Sequence, residues 1–158
     1  MAHVFISYRR SVSALLAQLI RNTLHSKGIS AFVDTSDAET AGYFEETLKR
    51  EIESAAVFVC LLADTTLESD WVSYEVKYAY ELGKTLVPVF QESFSIKDQQ
   101  SYAEYLTALL RSQGVKVLDI SGEFVSAAID KLIAILKQPV ESRKFTETMM
   151  YPINWTVE

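Results

Sequence analysis

Residues 57–75 read VFVCLLADTTLESDWVSYE. The first six are apolar without polar alternation, the pattern of a strand covered on both faces, as in a parallel sheet. A helix opens in the segment Ser69 to Glu75, and Val72, Val76 and Ala79 recur along it at helical spacing. Trp71 and Glu75 stand four apart in that segment, so an indole and a carboxylate share one helix face and can serve one small ligand.

The same alternation of strand and helix extends in both directions. Apolar runs at Val4 to Tyr8, Ala31 to Val33, Leu86 to Phe90 and Val115 to Ile120 read as further strands. Helical periods lie between and after them, at Leu15, Leu16, Leu19, Ile20 and Leu24, then at Phe44, Leu48 and Ile52. Two more follow, at Tyr102, Leu106, Leu109 and Leu110 and at Phe124, Ala128, Leu132 and Ile135. Gly28, Gly83 and Gly114 each stand where a helix would end in a left-handed cap. Strand followed by helix throughout predicts an α/β fold with helices on both faces of a parallel sheet. Among such folds the flavodoxin-like five-stranded order 2-1-3-4-5 leads. The domain is expected over residues 1–138, because Gln138-Pro139 ends the last helical pattern. Residues 139–158 read as a C-terminal tail or linker with an apolar content suited to docking.

Composition narrows the function. The chain has 158 residues, 49% of them hydrophobic, which suits one domain with a substantial core. A formal net charge of −6 without a stripe of Lys and Arg argues against nucleic acid as a partner. No apolar run approaches membrane-spanning length and no leader precedes the first strand, so a soluble, cytoplasmic protein without a membrane partner is expected. Cys60 is the single cysteine, inside the strand at 57–62, and reads as a buried thiol. His3 and His25 have no companions at metal-ligand spacing, so no metal site is expected.

In an open parallel sheet, ligands collect beyond the carboxyl ends of the strands, where neighbouring connections diverge. For order 2-1-3-4-5 that crevice lies between the first and third strands. It would be edged by Ser7-Tyr8-Arg9-Arg10, by Leu62-Ala63-Asp64, and by the helix carrying Trp71 and Glu75. The long connection Asp34 to Tyr43 is a candidate lid. Neither G-x-G-x-x-G nor a P-loop motif is present, and the first strand ends in arginines where a receiver domain needs a magnesium-binding acidic pair. Arginines there suit a pyrophosphate instead.

These motifs together resemble the Toll/interleukin-1 receptor (TIR) domain family. Val4-Phe5-Ile6-Ser7-Tyr8-Arg9-Arg10 looks like its first box, Phe32-Val33-Asp34 through Gly42 like its BB loop, and Ser69 to Glu75 like the catalytic helix of its NAD-cleaving members. The likeness covers roughly residues 3 to 137 and includes an Ala-Gly-x-Phe segment at Ala41 to Phe44. It implies cleavage of NAD to nicotinamide and ADP-ribose or a cyclic ADP-ribose, in immune, antiviral or cell-death signalling. Glu75 would be the catalytic carboxylate and Trp71 the ring stacked on the base, with Arg10, Asp34, Gly42 and Phe44 lining the NAD pocket beside Arg9 and Ser7. NAD would be the substrate, with no separate cofactor, and self-association through TIR–TIR contacts would accompany activity. The competing reading is a non-catalytic TIR adaptor that works only by homotypic pairing. Such adaptors commonly lack the helix glutamate, so Glu75 favours the enzyme.

Overall fold

In the computed structural model, residues 3–34, 41–96, 101–117 and 122–138 are described; for 41–44 and 122–124 this holds for the backbone alone. The strands are β1 (His3–Ser7), β2 (Ser30–Val33), β3 (Val57–Leu62), β4 (Thr85–Gln91) and β5 (Val115–Val117). Between and after them run α1 (Arg10–Ser26), α2 (Ala41–Ser54), α3 (Asp70–Glu81), α4 (Glu104–Arg111) and α5 (Gly122–Leu136). All pairings are parallel, as the alternation of patterns predicts, and the order is β2-β1-β3-β4-β5, the flavodoxin-like order that leads among such folds. The crevice at the β1/β3 divergence therefore exists as a feature of topology.

Strand alternation divides the core in two. Val4 and Ile6 of β1, with Val57, Val59 and Leu61 of β3, pack against Leu16, Ile20 and Leu24 of α1 and Ile129 and Leu132 of α5. Phe5, Phe58, Cys60 and Leu62 belong to the opposite cluster, with Leu48 and Ile52 of α2, Val72 and Val76 of α3, and Leu109 of α4. Register puts Phe5 opposite both Phe32 and Phe58, and its ring stacks at 5.5 Å on each. That aromatic row ties the three strands on the face that α3 covers. Ser7, two residues on from Phe5, emerges on the same face, one step closer to the carboxyl end.

Local signals set the ends of α3. Ser69 caps its start by accepting a hydrogen bond from the Val72 amide at 3.2 Å, and Asp70 adds negative charge to the first turn. At the other end Gly83 takes φ 73° while the Lys84 amide donates to the Ala79 carbonyl, turning the chain into β4. Gly114 departs from the expected cap, because its φ is not in the left-handed region. Its role is proximity instead: a Cβ there would meet the Pro88 carbonyl oxygen at 2.1 Å, so only glycine lets the chain enter β5 beside β4.

No helix among the described residues is long and apolar enough to cross a membrane. No group of His, Cys, Asp or Glu among them could hold a metal ion. The tail at 139–158 and loop residues Asp37 and Glu39 lie outside the described residues.

Candidate active site

The apolar stripe of α3 is Val72, Glu75, Val76 and Ala79, four positions at helical spacing that all face the sheet. One of the four is a carboxylate. Glu75 is 2% exposed, and its Oε1 accepts a hydrogen bond of 2.9 Å from the Ser7 hydroxyl, itself 1% exposed. A carboxyl group at a core position is costly to ionise unless something compensates. Burial pushes Glu75 up to about 8, the Ser7 hydrogen bond works against that rise, and the nearby negative charge of Asp34 adds to it. The sequence therefore spends a core position on a group whose ionisation is set by its surroundings, a pattern concentrated at functional sites.

Strand order assembles the rest of the site. β1 and β3 lie side by side, so Ser7 is in register with Cys60, whose thiol is fully buried and raised by desolvation and by Glu75. A thiol held protonated in this way is no nucleophile. From β2, Asp34 accepts the Tyr8 hydroxyl on its backbone oxygen at 2.6 Å, which joins the ends of β1 and β2. Burial raises the Tyr8 phenol, and Arg10 at the start of α1 acts against that shift. Ser7, Asp34, Arg10 and Glu75 thus sit at one end of the sheet, with Tyr8 linking them.

Arg9 is engaged elsewhere. Its Nη1 donates to the Thr65 carbonyl at 2.8 Å and lies 4.0 Å from a Glu68 carboxylate oxygen, so it straps β1 to the short 3₁₀ turn Thr66–Glu68 after β3. That turn is braced from within by Thr66, whose buried hydroxyl accepts the Ala63 amide at 2.9 Å. Gly42 and Phe44 fall in the first turn of α2, and the Phe44 side chain lies outside the described residues.

Trp71 sits beside Glu75, on an adjoining stripe. Four residues advance a helix by one turn plus about 40°, enough to separate a buried position from a flanking one. The indole is 39% exposed and stacks on Tyr74 at 5.5 Å with an interplanar angle of 19°. Tyr74 stacks in turn on Tyr78 at 6.5 Å. The expectation of one shared face becomes two neighbouring ones, a carboxyl pointing into the sheet and a ring ladder along its flank.

Sequence reasoning named Tyr8 only as part of the crevice edge, gave Tyr74 no role, and missed a second polar pair near the same end. Ser13 lies in the buried stripe of α1 with Leu16, Ala17, Ile20 and Leu24, and its hydroxyl donates to Gln91 at the carboxyl end of β4. A serine within an otherwise apolar stripe was the available signal.

Comparison with known proteins follows this geometry. A model described as the TIR domain matches residues 4–133. Over 142 residues the chain is 34% identical to NAD(+) hydrolase SARM1 of Danio rerio, which covers 85% of this chain and 19% of that protein. It is 35% identical over 105 residues to NAD(+) hydrolase tir-1 of Caenorhabditis elegans, covering 61% of this chain and 11% of the relative. The chain thus spans only a minor part of the length of these relatives. Among solved structures, the TIR domains of the activated Roq1 resistosome share the fold with a TM-score of 0.67 at 18% identity, covering 85% of this chain and 98% of that one.

Proposed function

Because the chain belongs to the TIR domain family, we propose that it cleaves the bond between ribose and nicotinamide in NAD+, with Glu75 as the catalytic carboxylate. The observation that carries this reading is the buried Glu75 held by Ser7 at the β1/β3 end of the sheet, next to the exposed Trp71. Kinship with proteins named NAD(+) hydrolases supports the choice of substrate.

The chemistry suits a single carboxylate. Nicotinamide leaves as a neutral molecule because its ring nitrogen begins cationic, so no acid is needed to protonate the leaving group, unlike in ordinary glycoside hydrolysis. What the transition state demands is stabilisation of positive charge growing on the ribose. Glu75, accepting hydrogen bonds from ribose hydroxyls in a partly dry site, supplies that in its ionised form, an effect on the order of 3 kcal/mol for one well-placed group. The substrate's own cationic ring and its hydroxyls favour ionisation of a carboxyl that burial otherwise keeps neutral. Trp71 binds the pyridinium by stacking and cation–π attraction. Arg10 is assigned to the pyrophosphate, and Asp34, Gly42 and Phe44 are assigned to the NAD pocket by the family resemblance. Water attacking the ribose carbon yields ADP-ribose and a proton; attack by the adenine end of the same molecule yields a cyclic ADP-ribose. Self-association through TIR–TIR contacts accompanies turnover in this reading.

Nicotinamide release from NAD+ should rise with protein concentration across a dilution series, with mass spectrometry identifying the sugar product. Glu75→Gln and Glu75→Ala should abolish release while the fold is retained. Turnover by these variants equal to that of the parent would refute the assignment.

A further inference from the structure

The ladder along α3 contains a residue that the function above does not use. Tyr74 covers one face of the Trp71 indole, and Trp71 remains 39% exposed. The Tyr74 hydroxyl donates to Oε1 of Glu45 on α2 at 3.0 Å. Glu45 is paired with Lys49 at 3.6 Å, and the Lys49 ammonium lies 5.8 Å from the centre of the Tyr78 ring, on which Tyr74 also stacks. Tyr74 is therefore fixed by two contacts besides the indole, one across to the helix that follows the β2 loop and one along its own helix.

We propose that Tyr74 is a positioning residue for substrate, a rigid backing plate that holds Trp71 in one plane and leaves its opposite face for a cationic aromatic ring. The idea rests on the NAD-cleaving reading and deepens it. An indole on a helix surface otherwise samples several rotamers, and each one lost on binding weakens affinity. Holding the ring beforehand removes that cost. The chemistry of the backing group also suits a cation. The face of an aromatic ring is negative, and a second ring stacked beneath the indole adds to the negative face it presents to a pyridinium. A neutral base of the same size gains less from the same surface, so the ladder selects for charge as well as for shape.

The chain has two tryptophans, so a Trp155→Phe background leaves Trp71 as the sole reporter. In that full-length background Tyr74→Leu should lower the fluorescence anisotropy of Trp71. It should also raise KM for NAD+ roughly fivefold, the equivalent of one aromatic stack, with kcat changed by less than about twofold. Tyr74→Phe, which keeps the ring, should stay within about twofold of the parent in KM and retain its anisotropy. Should Tyr74→Leu fail to fold, Tyr74→Met removes the ring with an unbranched side chain and reads the same quantities. Unchanged anisotropy and KM in the ring-less variant overturn the proposal, as does an equal loss in Tyr74→Phe, since the stack would then not be the agent. If the parent releases no nicotinamide, the NAD-cleaving reading fails by itself, and the anisotropy arm still decides whether Tyr74 holds the indole.

Discussion

The two faces of the sheet are built from different materials. Against α1 and α5 the described core is almost wholly aliphatic, with Val4, Ile6, Val57, Val59, Leu61, Leu16, Ile20 and Leu132. Against α2, α3 and α4 it is rich in aromatic rings and includes a thiol, and here the hydroxyl of Ser7 meets the carboxyl of Glu75. Both faces bury their side chains nearly completely, so apolar burial supports each one. Each face ends in a polar pair at the carboxyl end of the sheet, Ser13 with Gln91 on the first and Ser7 with Glu75 on the second, and the difference is that the second pair buries a carboxyl group. In the NAD-cleaving reading, the second face trades some stability for chemistry.

Glu75→Gln tests that trade most sharply. Nicotinamide release should fall by roughly 10²–10³-fold or more, the scale for losing one electrostatic group from an active site. The same variant should be more stable than the parent. The folded pKa of Glu75 is raised from 4.5 to about 8, so the parent has its full contribution from this group below about 4.5 and loses it as pH rises towards 8. Glutamine carries no charge to bury. The gap in melting temperature between the two should therefore widen from pH 5 to pH 8, reaching the equivalent of a few kcal/mol. An equal gap at both pH values would separate Glu75 from this account. Activity should follow the opposite trend, with kcat/KM for the free enzyme rising about tenfold per pH unit below pH 8 and levelling above it. A flat profile across that window would mean that ionised Glu75 is not required.

The aliphatic face predicts the converse behaviour. Leu16→Ala, at a side chain 1% exposed, should cost about 3 kcal/mol in denaturant unfolding and leave KM for NAD+ unchanged in the folded fraction. A large change in KM would show that the two faces are not independent. Gly114→Ala forces a Cβ onto the Pro88 carbonyl and should cost about 2 kcal/mol. Ser69→Ala, which removes the cap of α3, should cost about 1 kcal/mol and loosen the first turn that carries Trp71.

The strands and helices were legible because each buries a continuous stripe, and uninterrupted runs such as Val57 to Leu62 admit few other readings. The burial of Glu75 was not read from the sequence, which paired it with Trp71 on one face, although it falls between Val72 and Val76 of the buried stripe. Gly114 was misread because a glycine needed for close approach and one needed for positive φ look alike in sequence. The split between Trp71 and Glu75 was hidden for a related reason: spacing of four says the residues are near, but it overshoots one turn by about 40°, which leaves the indole on the flank of the buried stripe. Nor does the string Arg9-Arg10 indicate that one arginine straps a distant turn while the other flanks Tyr8.

Pro88 has a consequence for assembly. Its carbonyl faces Gly114, and in a strand the nitrogen of a residue points to the same side as its carbonyl, so the donor that proline lacks is missing from the outer edge of β4. Among the described residues β5 pairs with Val89 to Gln91, and no strand pairs with the first half of β4 on that side. A strand extending the pairing from β5 towards the start of β4 would meet a position with no N–H to offer. If copies of the chain gather as proposed, backbone pairing at that part of β4 contributes little to their contacts.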